Sequence, residues 1–178
     1  TSVSFATITV GGSGKFPFSQ LLSIDDSSII ASNGAKVTLP NVTKYTMSGK
    51  RVGFKFTADG NGSEISFPEL TEIADPTDQY YSDLLVATAN GGVISFPKLT
   101  SVQGAPFRAS GAGSHIDAPL LSTAYDSEFV AYAGSTVSIP ELTTLRHGEK
   151  WGGVKVDGDG TFDMPKLVNV ERPEFAVT

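Results

Sequence analysis

Three aromatic side chains stand in polar, glycine-bearing company: Tyr80 and Tyr81 between Asp78 and Asp83, and Trp151 between Lys150 and Gly152. Pyranose rings stack their C–H faces on such aromatics, while their hydroxyls hydrogen-bond to carboxylates, imidazoles and Lys/Arg heads. Asp78, His147, Glu149 and Lys150 are close enough in sequence to supply those partners, and Phe107 falls at a comparable place further along. A second strip, with Arg108, Tyr132, Lys55 and Lys155, alternates cation and aromatic and suits an acidic polysaccharide. Each set has a plainer explanation. Phe107 and Phe129 also fit as the first inward residues of strands, and a mixed strip is often only a solvated sheet face.

Catalytic and metal chemistry are less well served. His115 and His147 are far apart with no third ligand at metal spacing, and no Ser/His/Asp arrangement is visible. Asp157-Gly158-Asp159-Gly160 and Asp59-Gly60-Asn61-Gly62 have the composition of calcium loops but lack the repeating spacing and distal glutamate that make such loops specific. Asp-Gly and Asn-Gly are also default residues of tight turns, so no cofactor is expected and calcium remains the minor alternative. Asp117 and Asp163 are the best carboxylate pair for polysaccharide hydrolysis. They lie two repeats apart with Ser138 between, about 9.6 Å at strand spacing, near the upper limit for an inverting pair.

The elements that must position these residues come from a repeated phrase: apolar, small polar, apolar, proline, any residue, leucine or valine. It reads Val37-Thr38-Leu39-Pro40-Asn41-Val42 and returns around Pro68, Pro97, Pro119, Pro140 and Pro165, at intervals between 21 and 29 residues. So irregular a period argues for a solenoid whose corners accept insertions. Phe16-Pro17, followed by Leu21 and Ile24, reads as a degraded first copy, which makes about seven coils.

Alternation with period two marks the start of each phrase as a strand with one buried face. Val37, Ile65, Ile94, Ile116, Val137 and Phe162 should form one interior row, and Leu39, Phe67, Phe96, Ala118, Ile139 and Met164 another. The rows that begin at Val42 and Tyr45 have the other parity, so the chain must turn after the proline if they also point inward. Thr43, Thr71, Thr100, Ser122 and Thr143 sit in that bend, where stacked hydroxyls can bond the backbone. A further strand precedes each phrase and ends in a glycine turn such as Asn33-Gly34 or Asn90-Gly91. The expected architecture is an all-β, right-handed parallel β-helix, the hand following the usual crossover preference. A leucine-rich repeat is the competing solenoid, disfavoured by the Gly, Thr and Ser content where its helix would stand.

The 178 residues read as a single domain, with no linker, no apolar run long enough to span a bilayer and no signal peptide. A formal charge of −6 without a Lys/Arg cluster argues against nucleic acid and anionic membrane as partners. The start at Thr1 reads as an excised piece of a larger protein. This glycine-punctuated solenoid with aromatics in its loops resembles the parallel β-helix carbohydrate-binding modules appended to xylan-degrading enzymes. That resemblance implies a secreted, non-catalytic binder of xylan or a related polysaccharide, tethered to a glycoside hydrolase. A surface-protein spacer and a small lyase or hydrolase are the other classes the sequence leaves open.

Overall fold

The computed structural model describes residues 1–48, 53–75, 84–148, 153–172 and 174–178. Among them there is no helix, and the strands assemble into three parallel sheets of eight, seven and six strands. The chain visits the sheets in rotation, and each turn from the second to the seventh adds one strand to each. This is a parallel β-helix, and the seven strands of the second sheet, from Lys15–Pro17 to Thr161–Asp163, count its seven coils.

The repeated phrase is the second sheet plus the bend that leaves it. Val37, Ile65, Ile94, Ile116 and Val137 stand in register and are fully buried, as are Leu39, Phe67, Phe96, Ala118 and Ile139. After the second apolar residue the chain makes a β-turn, with proline at the position where its fixed φ is favourable. The N–H groups of Leu70, Leu99, Leu121, Leu142 and Leu167 donate to the carbonyls of Phe67, Phe96, Ala118, Ile139 and Met164 at 3.0–3.5 Å. That turn resolves the change of parity: it reverses which side chains face inward, so Leu70, Leu99, Leu121 and Leu142 are buried too. The next residue stitches the coils together. Thr71, Thr100, Ser122 and Thr143 each donate both N–H and hydroxyl to the carbonyl one coil back, the hydroxyls at 3.0–3.1 Å.

The first coil differs from expectation in register. Phe16 pairs with Val37 and Pro17 with Thr38, so Pro17 stands two places before the usual turn proline and Ser19 takes the turn. Phe18 therefore fills the Leu39 position, and Leu21 closes the turn onto the Phe18 carbonyl at 3.1 Å. Pro17 is tolerated because this is an edge strand. The Gly14 carbonyl and the Phe18 N–H bond the next coil, so the residue between them at the odd position turns its nitrogen to the free edge.

The first sheet opens each coil with the inward row Ile29, Phe56, Val86, Phe107, Phe129 and Val154. Its phenylalanines interleave with those of the second sheet. Successive ring centroids along Tyr45, Phe56, Phe67, Phe96, Phe107 and Phe129 are 4.9–5.7 Å apart, an aromatic column through the middle of the rod. Asn33-Gly34 and Asn90-Gly91, with all four φ positive, make the tight turns from first to second sheet.

Candidate functional site

Variation between coils concentrates at one corner, where the chain passes from the third sheet to the first. Four coils cross it in a few residues, using a left-handed residue to turn: Asp26, Gly104, Asp126 and Arg172, with φ of 53°, 72°, 48° and 55°. The other three place Met47, Asp75 and His147 at the same level and continue into longer connections, 47–53, 75–83 and 147–152. Tyr80, Tyr81, Asp78, Glu149, Lys150 and Trp151 belong to these connections and lie outside the described residues. Their flanking strands nonetheless fix both ends of each connection at this one corner.

Two aspartates launch such connections. Asp26 Oδ1 accepts the Ser48 N–H at 2.8 Å, and Asp126 Oδ1 accepts the Gly148 N–H at 2.7 Å, each across to the following coil. Both are buried in the corner. Neither was singled out from sequence for this role, although the signal is present: aspartate stands two residues after the inward residue of the third sheet in Ile24-Asp25-Asp26, Ile73-Ala74-Asp75 and Ala124-Tyr125-Asp126.

His147 is not an exposed sugar ligand, as the sequence suggested. It is 3% exposed in the corner stack, where Met47 is also fully buried, because its level in the coil points inward. Among the described residues neither ring nitrogen has a hydrogen-bond partner, and Nδ1 stands 4.0 Å from Asp126 Oδ1. Burial lowers its pKa below the ordinary 6.5, opposed by the charges of Asp126 and Glu128. The neutral imidazole is therefore the folded form, and its contribution to stability is present above pH 6.5 and lost as pH falls toward the lowered value. Replacing His147 with methionine, the residue at the matching place in Met47, is expected to raise stability by about 1–3 kcal/mol at neutral pH by removing unbonded buried nitrogens. Urea denaturation should show that gain widening between pH 7 and about pH 5. A gain that does not widen would rule out the depressed protonation.

Phe107 is likewise withdrawn from the site. It is fully buried, in the inward row between Val86 and Phe129, with its ring 5.7 Å from Phe96 and 5.4 Å from Phe129. Its neighbour Arg108 faces out, exposed, and its Nε and Nη2 both donate to Glu128 Oε2 at 3.0 and 2.7 Å. Along the same outward row come Val130 and Lys155. Tyr132, just past its strand, is half-buried with the Lys155 ammonium 5.9 Å from its ring centroid, a distance typical of cation–π contact. Val130 is 1% exposed despite its outward position, so this part of the face is a covered apolar floor between two cations.

The remaining candidates stay dispersed. His115 and Asp117 are half-buried on the outer face of the second sheet, 3.9 Å apart and so beyond hydrogen-bond range. Two of the turn residues considered for calcium are occupied in turn-to-turn bonds, with Asp59 Oδ1 accepting from Asn90 Nδ2 at 2.8 Å and Asp159 Oδ1 from the Gly134 N–H at 2.6 Å. Among the described residues no group of three metal-ligating side chains converges.

What the site offers chemically is a guanidinium held by a carboxylate and a phenol ring under an ammonium, with the covered Val130 between them. Beside it runs the corner from which the long connections leave. No family model, curated protein or solved structure matches the chain.

Proposed function

We propose that this solenoid is a non-catalytic carbohydrate-binding module that takes an extended polysaccharide, xylan or a related hemicellulose, along the outer face of its first sheet. The observation that carries the reading is the strip in which Arg108, fixed by Glu128, and Tyr132, capped by Lys155, lie on the outer side of the first sheet. A polymer needs a surface it can lie along, with a ring to stack on and directed donors for its hydroxyls. Tyr80, Tyr81 and Trp151, in connections anchored at the corner from third to first sheet, extend the same chemistry. In this reading the protein works outside the cell, tethered to a glycoside hydrolase that it holds on its substrate.

Affinity electrophoresis in gels containing xylan, β-glucan or pectin tests it. Retardation by one polymer without release of new reducing ends is expected. Tyr132→Ala and Trp151→Ala should each weaken retention about tenfold, equivalent to ~1.4 kcal/mol, while the circular-dichroism melt stays in place. Migration unchanged in every gel would reject the reading and favour a spacer segment of a surface protein.

A further inference from the structure

Six pairs of Asn or Asp followed by glycine occur in the chain: Asn33-Gly34, Asp59-Gly60, Asn61-Gly62, Asn90-Gly91, Asp157-Gly158 and Asp159-Gly160. Such pairs share one intrinsic reaction. Glycine has no side chain to shield its nitrogen, so that nitrogen can attack the preceding side-chain carbonyl carbon and close a five-membered ring. The attack needs a nitrogen free to give up its proton and turn toward that carbon. A hydrogen bond from the N–H opposes both.

Five of these six nitrogens are held. Gly34 and Gly91 donate to Ser63 Oγ and Ser114 Oγ, each at 3.0 Å. Gly60 donates to the Ala89 carbonyl at 3.0 Å, Gly158 to that of Thr178 at 3.0 Å and Gly160 to that of Asp157 at 3.3 Å. Asn90 is tied by its own amide as well, which donates to Asp59 Oδ1 at 2.8 Å. Gly62 is different. Among the described residues neither its N–H nor the Asn61 amide has a hydrogen-bond partner, and both residues are exposed. We infer that Asn61 is a site of spontaneous deamidation, and that folding protects Asn33 and Asn90 from the same reaction.

The neighbouring coils explain the difference. Ser63 and Ser114 stand just before a second-sheet strand, and each caps the turn of the preceding coil. In the coil after Asn61 that place belongs to Gly92, so the turn receives no hydroxyl. A side chain is excluded there, because a Cβ on Gly92 would run into the Ala58 carbonyl. The Asn61 turn also holds four residues between its strands where those of Asn33 and Asn90 hold three. Its bond to the next coil falls to Gly60, which leaves Asn61 and Gly62 at the tip.

In the reaction the Gly62 nitrogen, deprotonated by hydroxide, bonds to Asn61 Cγ. The Cγ–Nδ2 bond breaks, and ammonia leaves with a proton taken from water. Water then opens the succinimide at either carbonyl, giving aspartate or isoaspartate. Either product adds a negative charge close to Asp59, and isoaspartate lengthens the turn by one backbone atom.

Incubation of the folded protein at alkaline pH, followed by peptide mass spectrometry with fragmentation, locates the exchange of amide for acid. Conversion at residue 61 should run at least about tenfold faster than at 33 or 90, the factor imposed by breaking one hydrogen bond. In urea the three sites should react at similar rates, and Asn61→Gln should remove the early acidic species seen on anion exchange. Equal rates at the three sites of the folded protein overturn the proposal, as does a residue 61 left intact after the unfolded chain has reacted. The same order of rates in urea would also overturn it, by placing the difference in the local sequence and not in the fold.

Discussion

Phe96→Ala is expected to cost about 3–5 kcal/mol, the range for emptying a large aromatic site in a packed core. Phe96 lies in the middle of the aromatic column, stacked at 10° on Phe67 with 5.3 Å between centroids and 5.7 Å from Phe107. Its neighbours cannot close the void easily, because each is fixed by a strand whose register is set from both sides. In a solenoid each coil contacts only those adjacent, so the loss falls on the interfaces of the fourth coil with the third and fifth. Urea unfolding should show a lower midpoint together with loss of the single transition, the two halves separating as their shared interface weakens. A reduction under 1 kcal/mol would mean that the column is not the central support of the rod. Phe162→Ala in the seventh coil, where the ring is only half-buried, should cost markedly less.

Gly104→Ala is the second large effect, and its cause is different. Gly104 makes a short crossing of the corner with φ of 72°, a conformation that costs an L-residue about 1–2 kcal/mol. An added Cβ would also come 2.6 Å from the Asp75 Cβ, and overpacking of that kind costs a further ~1–3 kcal/mol. Gly12→Ala separates the two contributions. Its φ is 93°, but nothing lies within 4 Å of the added carbon, so only the dihedral cost should appear. Equal losses at Gly104 and Gly12, measured by thermal denaturation, would show that the corner relaxes around the methyl and that Asp75 is not held rigidly beneath it.

The phrase around each proline contained much of this fold because it joins two signals that a sequence states directly. One is strict alternation over three residues, and the other is a proline whose ring fixes the following turn. The change of parity between Leu39 and Val42 even required the turn now found there, and the hydroxyl row from Thr71 to Thr143 follows from residue type and spacing. Pro17 departs from the pattern because at a free edge a proline can equally occupy a strand, and the turn then falls at Ser19. Phe107 and His147 misled for a common reason. Counting from the turn proline locates a residue along the coil but does not say which way its side chain points, since that depends on how many residues the corner uses. Phe107 follows a short corner and is already in the inward row, and His147 begins a long one while still packed under it. The pairing of Arg108 with Glu128 was equally hidden, because they are neighbours only across the gap between two coils.

The exchange at that corner between a left-handed residue and a long connection sets out where this protein can change. Four coils close the corner with a left-handed residue and three place Met47, Asp75 or His147 at that level instead, yet the strands on either side keep the same register throughout. The length of chain inserted there is thus uncoupled from the ladder that holds the rod together. Foreign segments grafted after Asp26, Gly104 or Asp126 should be carried as side loops without disturbing the stack, which makes the corner a natural point of entry for display and for evolutionary diversification.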